Sequence, residues 1–491
     1  MKRAWAPVTV TVAIAIAGCA GEPLRPPEAP TAAQYTPGDL VTEATPAAGV
    51  HGGEAQRLVP GRDIPAQWWT LFRSPALDGL VREALDNSPT LARAAAKLRQ
   101  VEEDRQARAG ATQLPRVDAR LSANRVDVEP QAIGAQALPV STPFNLYLAS
   151  VGVSYKLDLF GTTRNELAAL RAEVDAQRLE LEAARLMLAG NVVTAAIREA
   201  SLREQIAIAG EIVSLQERRV GVVERLERLG TAAQGDVVAQ RLELAQARVL
   251  IPELERQLAR VRHRLAVYVG QAPAAARLPE FRLGDVQLPA ELPLSLPSEL
   301  ARQRPDVRVA EAMLQRAAAK VGVATANLYP QLTLSATLGS LATHPGDLFG
   351  AGTAFYLLGA SLTQPIFRGG ELQAQRRSAV AAYEQAVAAY REVVLQGLQD
   401  VADSLRALEA DARTLAERAR AADEARSRLA IAAARHQAGG MSQYALLEVE
   451  RQLRSALLDR TQAVADRYAD SAALLQALGG GWWNAGDVAA P

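Results

Sequence analysis

The chain has 491 residues, 49% apolar and 22% charged, the balance of a folded protein rather than a disordered one. Its 54 basic and 54 acidic side chains cancel, which removes the basic footprint of a nucleic-acid binder. One cysteine excludes an intrachain disulfide or thiolate cluster, and His51, His263, His344 and His436 lack a second ligand at metal-binding spacing. With no phosphate-loop, zinc-protease or serine-hydrolase pattern either, the reading is of a non-enzyme with no cofactor and no metal site.

Lys2 and Arg3 precede a short apolar run from Val8 to Gly18 that ends in Ile16-Ala17-Gly18-Cys19. A charged start and a brief apolar core read as a signal peptide over residues 1–18, too short to cross a bilayer. The small residues before Cys19 resemble a bacterial lipobox, which would make Cys19 the lipidated, palmitate-bearing first residue of the mature chain. By resemblance to lipoprotein sorting in Gram-negative bacteria, Ala20 in place of an acid favours the outer membrane. No other run of 18 or more apolar residues occurs, so no transmembrane helix is expected, and an acyl anchor holds a protein on a surface rather than through it. Residues 19–66 carry eight prolines from Pro23 to Pro65 among Gly, Ala and Thr, and are expected to form a lipidated tether, neither helix nor strand.

The remainder repeats itself once. Leu229-Gly230-Thr231 with Gln234-Gly235-Asp236 aligns with Ala438-Gly439-Gly440 with Gln443-Tyr444-Ala445, and Leu159-Phe160 with Ile366-Phe367. Each half, 67–272 and 298–481, gives the order helix, strand, strand, very long helix, tight glycine turn, helix. The Pro-rich segment 273–297 joins them, and 482–491 is a C-terminal tail. Residues 162–251 and 366–490 contain no proline, so the long helices are placed at 162–228 and 371–437, each about 100 Å at 1.5 Å per residue. Leu395, Leu398, Ala402, Leu405, Leu408, Ala412 and Leu415 mark a coiled-coil seam. Shorter helices are placed near 76–111, 233–269, 298–327 and 442–478, with a local kink expected at Pro252.

Four segments alternate with a period of two, about 117–125, 146–158, 331–340 and 355–364. Val117, Ala119 and Leu121 interleave with Asp118, Arg120 and Ser122, and Leu332, Leu334 and Ala336 with Thr333, Ser335 and Thr337. Their length suits tilted strands crossing a bilayer, and nine of the chain's 22 Phe, Tyr and Trp residues cluster beside them, as an aromatic girdle would. A soluble sheet with one wet face satisfies the same alternation. If the strands enter lipid, four cannot close a barrel and an open edge is not tolerated, so the chain must assemble with copies of itself. The fold class is mainly α with a small β membrane part.

The motifs that carry a family resemblance run in order from residue 68 to 482. They are Trp68-Trp69-Thr70-Leu71-Phe72, Leu157-Asp158-Leu159-Phe160-Gly161, Leu296-Pro297-Ser298-Glu299-Leu300 with Arg304-Pro305-Asp306, Gln364-Pro365-Ile366-Phe367 with Gly369-Gly370, and Ala477-Leu478-Gly479-Gly480-Gly481-Trp482. They resemble the TolC-like outer-membrane factors, in particular the NodT-type, OprM-like lipoprotein branch. The resemblance implies a homotrimer in which a trimeric α-helical barrel continues a 12-stranded transmembrane β-barrel. It implies a passive outer-membrane conduit of a tripartite efflux pump, lipid-anchored and extending into the periplasm. Its partners would be a periplasmic adaptor and an inner-membrane transporter of the proton-driven RND class, with outer-membrane lipid around it and small molecules as cargo. A periplasmic adaptor lipoprotein with coiled-coil hairpins and the outer-membrane duct of a type I secretion system are the alternatives. An envelope enzyme on a helical stalk is disfavoured, because no set of catalytic groups is present.

The turns at Gly230 and Gly439 lie farthest from the strands and would form the periplasmic mouth. Gly230, Thr231, Gly439 and Gly440 are the hairpin-tip candidates for adaptor contact. Relatives place carboxylates after these turns, which transfers here to Asp236 and Glu448 as gate candidates. An acid in a helix's first turns also complements the helix dipole with no further role. The chain departs from the best-known latch pattern, with Ala445 where a second acid is expected, Met441 where a base is expected and His436 in place of an aromatic residue. A partly apolar closure around Met441 and Tyr444 is the expectation.

Overall fold

The structure is a computed structural model that describes residues 43–127 and 143–484, with Pro30, Ala32 and 34–38 ahead of them. Cys19 and the signal segment lie outside the described residues. In chain order the elements are β1 (Arg57–Pro60), a 3-10 turn at Trp68–Phe72, α1 (Pro75–Asn87), α2 (Pro89–Gln113), β2 (Arg116–Val126), β3 (Phe144–Leu157), α3 (Thr162–Arg228), α4 (Gln234–Tyr268), β4 (Glu291–Leu294), α5 (Pro297–Gln303), α6 (Pro305–Ala326), β5 (Gln331–Ala342), β6 (Ala354–Thr363), α7 (Glu371–Gln437) and α8 (Gln443–Ala477).

The duplication is exact in length. α3 and α7 each have 67 residues, and α4 and α8 each have 35. Each long helix ends the same way. Gly230 takes φ 72° and Gly439 φ 77°, a left-handed conformation that costs a side-chain-bearing residue energy. The next amide reaches back to satisfy an orphan carbonyl of the last helical turn, Thr231 N to Leu226 O at 2.9 Å and Gly440 N to Arg435 O at 2.8 Å.

Two of the expected helices are each split in two. The span 76–111 breaks between α1 and α2 at Ser88, and 298–327 breaks between α5 and α6 at Arg304, because each residue precedes a proline. Proline drives the residue before it to extended geometry and removes an amide donor, and Ser88 and Arg304 take ψ 123° and 125°. Pro252, by contrast, lies inside a continuous α4.

The described residues form two compact units, each drawing on both repeats: one from those within 98–177 and 310–390, the other from those within 30–97, 178–309 and 391–484. In the first unit, β2-β3-β5-β6 form one antiparallel sheet. Its register sets Ala119, Val151, Leu338 and Tyr356 in one row and Val117, Val153, Ala336 and Leu358 in the next. Paired residues share a face, so the apolar set of all four strands falls on one side of the sheet. The other side is mixed, with Asp118, Gly152, Thr337 and Leu357 in one row and Arg120, Ser150, Gly339 and Phe355 in another. Beside the strand ends, the Leu157–Gly161 motif turns the chain into α3. Asp158 accepts from Thr163 N and Arg164 N, Gly161 takes φ 82°, and Phe160 stacks on Tyr329 with centroids 4.9 Å apart.

The second unit holds the larger core. Along α7 its buried stripe is Val394, Val401, Leu405, Leu408, Ala412, Leu415, Ala419 and Ala422. The seam expected from sequence is therefore one residue out of phase at its start. Leu395 is 55% exposed, while Val394 and Val401 are the buried positions. Gly397 carries the stripe past the Arg304 side chain, since a β-carbon there would lie 3.2 Å from Arg304 Cδ.

The reading of 19–66 as a tether without strand fails over its described end. β1 pairs in parallel with β4 of the connecting segment, and the stretch before it is fastened to α8. Arg467, fully buried, donates to Gly52 O at 3.0 Å, Glu54 O at 2.8 Å and Gln56 Oε1 at 3.2 Å. His51 Nε2 lies 2.9 Å from Val286 O, and Tyr468 Oη donates to the same carbonyl at 2.9 Å. The prolines exclude helix but leave carbonyls free, and a buried guanidinium supplies the missing donors.

Candidate functional site

Two features of the chain have functional character, the sheet of the first unit and the helix hairpin ends of the second. Each has to be read from what its side chains face.

The apolar side of the sheet is bare. Leu121 at one edge is 78% exposed and Tyr356 and Leu358 at the other are 77% and 73%, with exposed Val151 and Leu338 between them, a larger apolar patch than soluble monomers ordinarily leave to water. β2 and β6 are edges with no strand beside them among the described residues, and their ladder groups need partners. The opposite face, with Arg120, Ser150 and Thr337, suits water. An apolar outer face, a polar inner face and unsatisfied edges are what a segment of a membrane β-barrel presents. Among the described residues no helix is long and apolar enough to cross a membrane.

At the hairpin ends, the sequence-predicted residues separate into two groups. Asp236 stands exposed in the first turn of α4, and its carboxylate accepts from Ala233 N at 3.0 Å, the acid half of a capping box whose other half an alanine cannot supply. Met441 sits beside its own turn, where its carbonyl lies 2.8 Å from His436 Nδ1, while Ser442 caps α8 by accepting from Ala445 N. The tip residues Gly230, Thr231, Gly439 and Gly440 are all exposed. Tyr444 and Glu448 instead face α3 and α4 and are brought together by Arg219. Its Nη1 is 2.8 Å from Glu448 Oε2 and 3.0 Å from Glu243 Oε2, and its Nη2 donates to Tyr444 Oη at 2.7 Å.

Glu448 also accepts from Arg451 at 2.7 Å and from Gln452 at 2.9 Å. Burial pushes the Glu448 carboxyl up, but the Arg451 and Gln452 hydrogen bonds and the charges of Arg451 and Arg219 outweigh it and hold the group below the ordinary glutamate value. Arg219, Glu243 and Arg451 are absent from the sequence-based set. The signal was there in part: Arg219 falls beside Ile212, Leu215, Val220 and Val223, a buried stripe whose other polar member nearby is Gln216. No group of three or more His, Cys, Asp or Glu that would hold a metal occurs among the described residues.

A four-stranded sheet with an exposed apolar face, in one chain with duplicated helical hairpins, fits the class of outer-membrane channel proteins. The family model described as outer membrane efflux protein matches residues 80–271 and 296–480, and the chain belongs to that family. It is 32% identical over 418 residues to the pyoverdine export outer membrane protein OpmQ of Pseudomonas aeruginosa, covering 85% of this chain and 87% of that one. It is 26% identical over 418 residues to the probable outer membrane lipoprotein SilC of Salmonella typhimurium, with 84% and 88% covered. Among solved structures, the outer-membrane channel OprN matches with a TM-score of 0.78 and 28% identity, over 91% of this chain and all of that one. The protein is thus an outer-membrane component of efflux, from a family of channels rather than enzymes.

Proposed function

We propose that three copies of the chain form a passive duct for small molecules across the outer membrane, the outer part of a tripartite efflux pump. The single observation that carries this reading is the sheet's register, with one apolar face over all four strands and, among the described residues, an edge strand on each side that pairs on one flank alone. Lipid cannot leave such edges open. Three copies joined edge to edge supply twelve strands, wide enough for water to fill, and six long helices to ring the duct on the periplasmic side. The exposed stripe of Val238, Leu242 and Val249 on α4, opposite its buried Val237 and Leu244, supports helix packing between copies.

In this reading Cys19 carries the lipid, consistent with the lipoprotein named among the relatives. The Gly230–Thr231 and Gly439–Gly440 tips meet a periplasmic adaptor, which joins the duct to a proton-driven inner-membrane transporter. The mouth closes near Asp236, Met441, Tyr444 and Glu448. A wide duct selects weakly, so the pump partner sets the cargo.

Cross-linking tests the assembly. With Val117→Cys on β2 and Leu362→Cys on β6, oxidation in membranes is expected to give a covalent ladder ending at the trimer. A population that stays monomeric after oxidation at several neighbouring edge positions would overturn it.

A further inference from the structure

The mixed side of the sheet is unbalanced in charge. Over its four strands the register gives that side four charged residues, Arg116, Asp118 and Arg120 on β2 and Lys156 on β3, all of them exposed. Bases and acids cancel over the whole chain at 54 each, yet here three bases meet one acid. Across the ladder Arg116 faces Ser154, Asp118 faces Gly152, Arg120 faces Ser150 and Lys156 faces Thr333, so no neighbouring strand supplies a countercharge. Asp118 stands between the two arginines and offsets one of them, which leaves each copy a surplus of two positive charges. The small side chains opposite leave the long basic ones free to extend away from the sheet.

The charges gather at one end of the strands. Arg116 opens β2, two residues past the end of α2, and Lys156 lies one residue before the end of β3, where the chain passes into α3. Asp158, just beyond, is already engaged as an acceptor, from Thr163 N at 3.1 Å and Arg164 N at 2.8 Å.

We propose that Arg116, Arg120 and Lys156 of the assembled copies form a ring of positive charge at the helix-side end of the barrel, and that the ring draws anionic cargo, carboxylates and phosphates above all, into the membrane section. The proposal rests on the trimeric-duct reading and gives that duct a chemical class of substrate. Three copies set nine bases and three acids around one lumen, and rings of arginine and lysine are how pores favour anions. In a wide aqueous lumen the field reaches only a Debye length, about 30 Å at 0.01 M salt and about 3 Å at 1 M, so the ring biases passage at low salt and is screened at high salt.

The test uses the full lipidated chain in planar bilayers and reads the chloride-to-potassium permeability ratio from reversal potentials in potassium chloride gradients, near 0.01 M and near 1 M. Replacing Arg116, Arg120 and Lys156 together by serine is expected to lower the ratio by about tenfold at low salt. Arg120→Ser alone should lower it less, and Asp118→Asn should raise it. All of these differences should vanish near 1 M. Mass in detergent verifies that each variant is still a trimer, and the single variants keep the test in force if the triple one fails to assemble. Arg125→Ser removes an arginine of the same strand from the side that the register gives to lipid, and should move the ratio less than Arg120→Ser does. A conducting trimer whose ratio is unmoved by the triple variant and by Asp118→Asn would overturn the ring. So would a shift that persists near 1 M, or one as large for Arg125→Ser as for Arg120→Ser. A parent that never conducts defeats the duct reading itself, and the ring with it.

Discussion

The Arg304 guanidinium donates to the Asp400 carboxylate at 2.8 Å, fixing the break between α5 and α6 to the flank of α7. The same side chain donates to Asp306 at 2.7 Å and to Ala477 O at 2.9 Å, so one residue of the Arg304-Pro305-Asp306 motif ties together three helical segments. Burial draws the Arg304 pKa down, but Asp306 and Asp400 outweigh it and keep the group firmly charged. Arg304→Ala strands a carboxylate and a buried carbonyl and is expected to cost ~3 kcal/mol. Arg304→Lys should recover little, because an ammonium cannot fork across both acids. Gly397→Leu, aimed into the Arg304 stem, should cost ~1–3 kcal/mol through overpacking. Thermal melting in detergent checks all three.

The two faces of the sheet should respond oppositely to charge. Leu338→Arg on the apolar face is expected to destabilise the membrane-inserted protein by ~2–4 kcal/mol if it lies near the bilayer midplane. Thr337→Lys, one residue away on the opposite face, should insert as the parent does and only shift ion selectivity. Folding titrations in liposomes separate the cases. Equal penalties at both positions would mean that neither face meets lipid.

The docked segment before β1 should depend on Arg467. Arg467→Met leaves the carbonyls of Gly52 and Glu54 without their donor and is expected to raise hydrogen exchange over residues 43–57 by at least tenfold, about 1.4 kcal/mol of local opening. Exchange in the β2–β6 sheet should stay unchanged. His51→Ala should give a smaller effect on the same peptides.

Two acids make the second unit sensitive to pH in opposite directions. Burial, then the Asp470 hydrogen bond and charge, then Asp466, push the Asp411 carboxyl up to about 7, against a smaller pull from Arg467. A raised acid contributes stability at low pH that is lost as pH climbs through that value. Glu448 is held below its ordinary value, so its contribution is present above the unfolded glutamate pKa of about 4.3 and lost as pH falls below it. The Asp411 contribution is whole only below the unfolded aspartate pKa of about 3.9 and that of Glu448 only above about 4.3, so together they are largest near pH 4 and the Asp411 part is lost by about pH 7. Asp411→Asn should flatten the alkaline side and Glu448→Gln the acid side in melting profiles.

Much of this architecture is legible in the sequence because its signals are local. The absence of proline over 162–251 and the glycines at 230 and 439 fix the long helices and their turns, and strict alternation fixes the strands. Proline at 89 and 305 carried an equally local signal, and both breaks follow from it. What escaped was non-local. Arg467 and Gln56 meet across 411 residues of chain, and no pattern near either one announces the other. Arg219 was readable as a charge in a mostly apolar stripe, yet its partners on α4 and α8 depend on how two hairpins pack. Spacings of three and four from Leu395 through Leu398 and Ala402 also reach Leu405, whereas burial follows the helical phase that runs from Val394 through Val401 to Leu405.

The central claim is that four strands from each chain join with those of other copies into a water-filled barrel. Planar-bilayer conductance of the detergent-extracted protein, with its mass measured in the same detergent, tests it most directly. The account predicts stepwise openings from a species of three chains. A monomer that never conducts would contradict it, and the alternating strands would then be a soluble sheet.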